Sequence, residues 1–436
     1  DNIYETDIKS LATISWEPVI KAFPEQAKTI SSMAAQVLTE YNSNINTTSY
    51  FGKKCIKNII RNITSLENIV SIRKIQKPLV ITGSGPSLEQ SIPLLRKANT
   101  NIFLVALSSS CSILEHYGVR PDIILTTDPG YYASVHLDYS VDKEIVLSSP
   151  LSANLGKSYK NPFLLINQGT FLEEYFLGSM GLPFLKLDPN GTVAGSALFL
   201  ASQITDMPVI MTGIDFCSDD IKTHCMPHSF ERFINSNTCR YNPLLDRYYN
   251  QAIYNYPDKL SEDSNCRISG QLSAYTGWFN STYFKSSCYR LNPSPVSLDS
   301  LKPINNEDAF KLIDTFSNAG EKTLNNSGLA DSKKYFSSTA VDKKNYRKLI
   351  YNLQDNLLAE LEKRFKYISS DAIRTELKTS FDKDILYYFD TYKYLDLFHI
   401  MNKNMSTDLI EKYTALNKEC ILFLEKEFAK TRVCNE

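Results

Sequence analysis

Leu79-Val80-Ile81-Thr82-Gly83-Ser84-Gly85-Pro86-Ser87-Leu88 is the stretch from which the fold is read. Leu79 to Thr82 is a short apolar, β-branched run behind Pro78, the mark of a buried strand. It stops at two glycines, and a helical pattern through Leu88, Ile92, Leu94 and Leu95 follows. A strand, a glycine turn and a helix start form a natural anion site. Glycines let the backbone approach a phosphate, and a helix N-terminus offers unpaired N–H groups and partial positive charge. Ser84 and Ser87 add hydroxyls, and Pro86 suits a first helical turn, where its missing N–H is no loss. A dinucleotide fingerprint wants glycine at position 88, which is leucine, and no lysine completes a P-loop. Spacing alone leaves a nucleotide or phosphate site and an ordinary tight βα turn as open alternatives.

Outward from this turn, residues 77–215 alternate short apolar runs with helical segments. The predicted strands are 79–82, 102–107, 123–126, 145–147, 163–166, 184–187 and 209–212, with helices over 88–97, 109–117 and 194–204. That alternation predicts an α/β fold with a doubly wound, mainly parallel (Rossmann-like) sheet. Ligands of such sheets bind beyond the carboxyl ends of the strands. Those ends carry Gly83–Ser87, Ser108-Ser109-Ser110, Thr127-Asp128-Pro129, Asn167-Gln168, Asp188-Pro189-Asn190-Gly191 and Gly213-Ile214-Asp215. Loops of this kind are polar in any case. Asp128 and Asp215 are nevertheless placed to meet ribose hydroxyls, a metal or a reacting hydroxyl.

Residues 1–74 read as a helical region, with apolar stripes over 22–38 and 55–63 and a polar Asn/Ser/Thr linker at 42–48. Residues 75–305 read as the Rossmann-like domain, irregular after Asp215. Residues 306–436 read as a helical bundle with helices returning from Glu307. Its main stripe is Tyr346, Leu349, Ile350, Leu353, Leu357, Leu361 and Phe365, and Ser370 and Thr407 are candidate caps.

The chain has 436 residues, 43% hydrophobic, with a formal charge of −1. A large core follows, and a dedicated nucleic-acid binder, which would show a basic surplus, does not. Nine cysteines without a repeating framework, and no signal-peptide pattern, predict reduced thiols in the cytoplasm. No apolar run approaches the ~18 residues of a membrane span. Two of the five histidines lie in Lys222-Thr223-His224-Cys225-Met226-Pro227-His228. Zinc held by Cys217, Cys225 and these histidines is poorly served by the spacing, so no metal site is assigned. His224 follows Asp215 by a short loop and reads either as a general base or phosphate-contacting group, or as a packing histidine. Tyr131 and Tyr132 could stack on a sugar or donate to a phosphate, or be plain loop aromatics. Residues 273–279 either line a groove or start a helix on the sheet.

Four segments together resemble the motility-associated factor (Maf) glycosyltransferases, whose core is similar to 6-hydroxymethylpterin diphosphokinases (MptE-like) and to bacterial sialyltransferases. They are Tyr50-Phe51-Gly52-Lys53-Lys54 with Asn58 and Asn62, and Gly83-Ser84-Gly85-Pro86-Ser87-Leu88. The third is Leu114 to Asp122 with Thr127-Asp128-Pro129. The fourth is Ala194-Gly195-Ser196 with Gly213-Ile214-Asp215 and Thr223-His224. The match spans residues 50–290 and departs from the family at Ile214 and Cys225. The resemblance implies a cytoplasmic enzyme moving a nonulosonic acid, of pseudaminic or legionaminic type, from a CMP-activated donor to Ser/Thr hydroxyls of flagellin. Gly83, Ser84, Gly85, Pro86 and Ser87 would then hold the cytidine phosphate. Ser108, Asp128, Gly195 and Ser196 would bind nucleotide or sugar, and Asp215 or His224 would take the acceptor's proton. The C-terminal helices would dock flagellin. The resemblance requires no cofactor beyond the CMP-sugar donor and leaves a divalent metal open. One rival is an MptE-like diphosphokinase using ATP and Mg²⁺ on Asp128 or Asp215; the other is a non-catalytic flagellin-binding chaperone.

Overall fold

The computed structural model describes residues 16–138, 144–156, 160–284, 287–321, 332–339, 342–364, 369–379, 384–403 and 405–433. Contacts divide the chain into two compact units, Asn62–Arg347 and Asp1–Arg61 with Lys348–Glu436.

The first of these is an α/β unit. Its strands, numbered β1 to β13 in chain order, are Ile69–Ile72, Leu79–Thr82, Phe103–Leu107, Ile123–Leu125, Val146–Pro150, Phe163–Asn167, Leu185–Lys186, Val209–Thr212, Asp258–Lys259, Arg267–Ile268, Cys288–Leu291, Lys302–Ile304 and Phe336–Thr339. Eleven of them form one sheet in the order β12-β11-β8-β2-β3-β4-β5-β6-β1-β13, with β7 beside β6; β9 and β10 pair separately. Every pairing in the large sheet is parallel except β1 with β13. Helices cover both faces, so the expected α/β, mainly parallel architecture is what forms. The central strands β2, β3, β4 and β8 are buried along their whole length. That is why they read as unbroken apolar runs rather than alternating ones.

The chain steps from β2 outward to β6, then returns through the helix Val193–Ile204 to lay β8 on the other side of β2. The winding direction therefore reverses between β2 and β8. At such a reversal successive loops diverge to opposite faces, and the carboxyl edge opens for a ligand.

Several expectations need correction. The polar run 42–48 is no linker: it lies inside one continuous helix, Pro24–Ser65. The run lacks proline and glycine, and Tyr41 and Ile45 on either side of its start are buried with Leu395. Ile69–Ile72 is a strand rather than part of the N-terminal helical region, and Phe336–Thr339, within the predicted bundle, is its antiparallel partner. Both are four-residue pieces whose structure comes from pairing, which a local pattern cannot show. The stretch after Asp215 is less irregular than predicted: it holds the helices Leu244–Asn255 and Gly270–Ser281 and extends the sheet with β11 and β12. The fourth predicted strand continues to Pro150.

In the other unit the stripe residues Ile350, Leu353, Leu357 and Leu361 are buried, whereas Leu349 is exposed; Phe365 lies outside the described residues. Ser369, not Ser370, caps Ser370–Thr379, its hydroxyl accepting from Ala372 N–H at 3.2 Å. Gly52 of the first motif is explained here: a Cβ at this position would lie 2.0 Å from the Tyr388 carbonyl oxygen.

Candidate functional site at the carboxyl edge of the sheet

The glycine turn after β2 and the loop after β8 are built against each other. Gly213 has φ +69°, and a Cβ there would meet the Gly83 carbonyl at 2.5 Å; a Cβ on Gly83 would meet Gly213 O at the same distance. Only paired glycines allow this approach. Gly83 N–H donates to Thr212 O and Gly85 N–H to Gly213 O, each at 2.8 Å. Asp215 closes the clamp: its carboxylate accepts from Ser87 N–H at 2.7 Å and from the Ser87 hydroxyl at 2.6 Å.

This changes the chemistry expected of the turn. The helix Leu88–Ala98 does not present unpaired donors, because Leu88, Glu89 and Gln90 donate to the carbonyls of Gly85, Pro86 and Ser87. With Gly83, Gly85 and Ser87 also engaged, Ser84 N–H is the turn's donor without a protein partner among the described residues.

Asp215 is buried at 4% exposure. Burial pushes its carboxyl above the usual range, opposed by the Ser87 bonds and by the charge of Arg290. Arg290 projects from β11, itself buried, and donates to Ile214 O at 2.7 Å, to the Ser294 hydroxyl at 2.7 Å and to Val296 O. It therefore holds the backbone that carries Asp215. Geometrically, Asp215 is a carboxylate with both oxygens occupied.

The loop beyond Asp215 folds back over the turn. Cys225 N–H donates to Ser84 O at 2.8 Å, and Met226 N–H to Glu89 Oε1 at 2.9 Å. Lys222 pairs with Glu89 at 2.9 Å, and the Ser112 hydroxyl donates to Pro227 O at 2.8 Å. These bonds hold His224 and His228 above the ends of β2 and β3. The two rings stack at 4.2 Å between centroids, and His136, from the helix Tyr131–Leu137 after β4, meets His228 at 5.4 Å. Phe230 packs on both His136 and His228. Burial pushes the imidazoles of His136 and His224 down to about 4 and lowers His228 well below its usual range. All three are neutral at neutral pH.

Of the remaining predicted residues, Ser108 is buried in the 3-10 turn after β3. Asp128 is exposed after β4, its Oδ1 accepting from Gly130 N–H at 2.7 Å; burial raises the Tyr275 phenol, and the charge of Asp128 adds to that. Gly195 and Ser196 open the crossover helix Val193–Ile204, capped by Thr192. A Cβ on Gly195 would strike Asn190 Oδ1 at 2.6 Å and the Trp278 ring at 2.8 Å. Ser196 is buried, 3.4 Å from Asn190 Nδ2. Residues 273–279 lie within the helix Gly270–Ser281, which buries Phe279 in the core. Tyr131 and Tyr132 are exposed. Cys217 lies with Cys266 rather than with Cys225, and no group of three His, Cys, Asp or Glu among the described residues is arranged to hold a metal ion.

Sequence reasoning missed Arg290, His136 and His228 as parts of this edge. Arg290 could have been suspected as a charge inside the short run Cys288-Tyr289-Arg290-Leu291. His136 carries no local signal, since only the parallel stacking of β2, β3 and β4 brings it to the 224–230 loop.

Residues 53–220 match the family model described as 6-hydroxymethylpterin diphosphokinase MptE-like. Two uncharacterized proteins of Treponema pallidum (strain Nichols) are similar to the chain. One is 27% identical over 314 residues, covering 70% of this chain and 66% of that protein. The other is 26% identical over 187 residues, covering 40% of this chain and 32% of that protein. Among solved structures, the MAf glycosyltransferase from Magnetospirillum magneticum AMB-1 aligns over 86% of this chain and 58% of its own, with a TM-score of 0.47 and 11% identity. The chain thus spans just under two thirds of the first relative's length.

Proposed function

We propose that the chain is a Maf-type glycosyltransferase that moves a nonulosonic acid from a CMP-activated donor to Ser/Thr hydroxyls of a protein acceptor, flagellin, in the cytoplasm. The carrying observation is the convergence, at the point where the winding reverses, of three motif segments that the sequence spaces far apart. The glycine turn, the Gly213-Ile214-Asp215 loop and the His224 loop are hydrogen-bonded into one edge of the sheet. The family match over 53–220 agrees with the kinship to MptE-like cores on which the resemblance rests.

In this reading Ser84 offers its N–H and hydroxyl to the nucleotide phosphate, and Asp128 lies beside the nucleotide or sugar. Asp215 acts as a positioning residue: it is buried, and each of its oxygens already accepts a bond from Ser87. His224, neutral and half-buried, is the group left to accept the acceptor's hydroxyl proton. Charge developing on the departing phosphate is met by donors fixed in advance, the arrangement that lowers such barriers most. The helical unit is the flagellin docking surface in this scheme.

The family model favours a second reading, an ATP- and Mg²⁺-dependent diphosphokinase. Of its two proposed metal ligands, Asp215 is buried with each oxygen accepting one bond from Ser87. Asp128 retains an oxygen beyond its bond to Gly130. Calorimetry with CMP, CTP and ATP, with and without Mg²⁺, separates the readings. It is followed by mass spectrometry of flagellin incubated with protein and CMP-pseudaminic or CMP-legionaminic acid. CMP binding and a nonulosonic acid mass increment are expected. Mg²⁺-dependent ATP binding without CMP binding would overturn the proposal in favour of the diphosphokinase. No nucleotide binding would leave a flagellin-binding module.

A further inference from the structure

His228 carries an unanswered hydrogen bond. Its Nδ1 accepts from Phe230 N–H at 3.4 Å, so that nitrogen is unprotonated and the neutral ring bears its proton on Nε2. Nε2 is buried and has no partner, in a residue only 5% exposed. A buried N–H without an acceptor is costly and rare in native structures. No atom among the described residues accepts from it. His224 turns its Nδ1 to the Thr223 hydroxyl at 3.0 Å, and His136 turns its Nδ1 to the Ser229 hydroxyl. Both flanking rings are only half-buried, so the cluster reaches solvent through them.

The placement is that of a ligand contact. The 224–228 loop is tied to Ser84 O, Glu89 and Ser112, while His136 lies in the second turn of the helix that follows the Asp128 loop. We propose that His228, flanked by His136 and His224, donates its Nε2–H to an oxyanion of the ligand bound at this edge, forming an anion subsite beside the glycine turn. The proposal rests on the nucleotide-sugar reading for the ligand's identity, not for the subsite's existence. Two oxyanions of that ligand share the required chemistry, the nucleotide phosphate and the carboxylate of an acidic sugar.

With five histidines in the chain, ¹⁵N-histidine labelling gives a sparse set of ring signals. Long-range proton–nitrogen spectra of the whole protein are recorded with inorganic phosphate, CMP, cytidine and free N-acetylneuraminic acid. The expected result is an Nε2–H tautomer at His228 whose signals move with phosphate and CMP and not with cytidine. Movement with the free acidic sugar alone would place the carboxylate there instead and still support the subsite. His228→Phe should weaken binding of the active oxyanion ~10- to 100-fold, the range for a hydrogen bond to a charged group. His228→Gln, whose amide reproduces an Nε2–H donor, should restore most of it. Should His228→Phe fail to fold, the wild-type spectra decide. The proposal is overturned if no oxyanion moves the His228 signals, or if a folded His228→Phe binds as the wild type does. Phosphate-dependent shifts without sugar transfer would sink the glycosyltransferase reading and leave the subsite standing.

Discussion

Replacing Gly85 by alanine tests whether the glycine turn is held by Asp215. The added Cβ would lie 2.5 Å from Asp215 Oδ2, 2.6 Å from its Cγ and 2.8 Å from Gly213 O. The Gly213 carbonyl cannot retreat without breaking its bond from Gly85 N–H, so the carboxylate must move. Moving it forfeits the bonds from Ser87 N–H at 2.7 Å and Ser87 Oγ at 2.6 Å. Hydrogen bonds to a charged group contribute ~1.5–3 kcal/mol each, so losing both costs ~3–6 kcal/mol before relaxation. Relaxation recovers part of this, and ~3 kcal/mol of destabilisation is expected. That is a large share of the ~5–15 kcal/mol of a typical domain. The chain has two tryptophans, and Trp278 packs against the α/β core while Trp16 is 69% exposed. Urea unfolding followed by Trp278 fluorescence in a Trp16→Phe background therefore reads the relevant unit. Gly277→Ala, on the helix Gly270–Ser281 with open space at its Cβ, is the control and should be neutral or stabilising by up to ~1 kcal/mol. Ser87→Ala should cost ~1.5–3 kcal/mol by itself. Because both changes act through Asp215, the double variant should fall short of their sum by ~1 kcal/mol or more. A Gly85→Ala protein as stable as wild type, or additive costs, would refute the clamp.

Acid should weaken the histidine cluster. With folded pKa values near 4 for His136 and His224 against an ordinary 6.5, the unfolded chain binds protons that the folded one does not. Stability from these groups is complete above pH 6.5 and is lost as the pH falls from 6.5 to 4. Urea midpoints across that window should fall less steeply for His136→Phe than for wild type, and equal slopes would contradict the assignment. Asn62, fully buried, donates to the carbonyls of Leu151 and Ala153 at 2.8 and 2.7 Å. Asn62→Ala should cost ~1–3 kcal/mol by stranding a buried acceptor, read from the same urea transition. In the helical unit, Arg364 bridges Glu376 at 3.0 Å and the buried Asp384 at 3.3 Å. Arg364→Met should destabilise by ~3–5 kcal/mol, measured by calorimetric melting; an unchanged melting temperature would show the pair to be dispensable.

The motif residues separate into two groups once their contacts are known. Gly52, Asn62, Gly83, Gly213 and Asp122 are explained by packing: Asp122, for instance, accepts from Leu104 N–H at 2.7 Å and fixes β4 beside β3. Ser84, Asp128 and His224, joined by His136 and His228 from outside the motifs, are the polar groups that face the open edge or lack a full set of protein partners.

The sequence by itself determined the central sheet, because fully buried parallel strands must be continuous apolar runs and the turns between them must be polar and glycine-rich. It located the glycine turn, the Asp215 loop and the crossover helix for the same local reasons. It did not show β1 or β13, whose mutual pairing joins positions far apart in the chain. Nor did it show that the turn's donors face inward, or that Asp215 binds Ser87. Which oxygen a buried N–H meets is decided by what the fold brings opposite it. The tertiary structure alone therefore made Asp215 a clamp and gathered three histidines, two from one loop and one from the helix after β4, onto one edge.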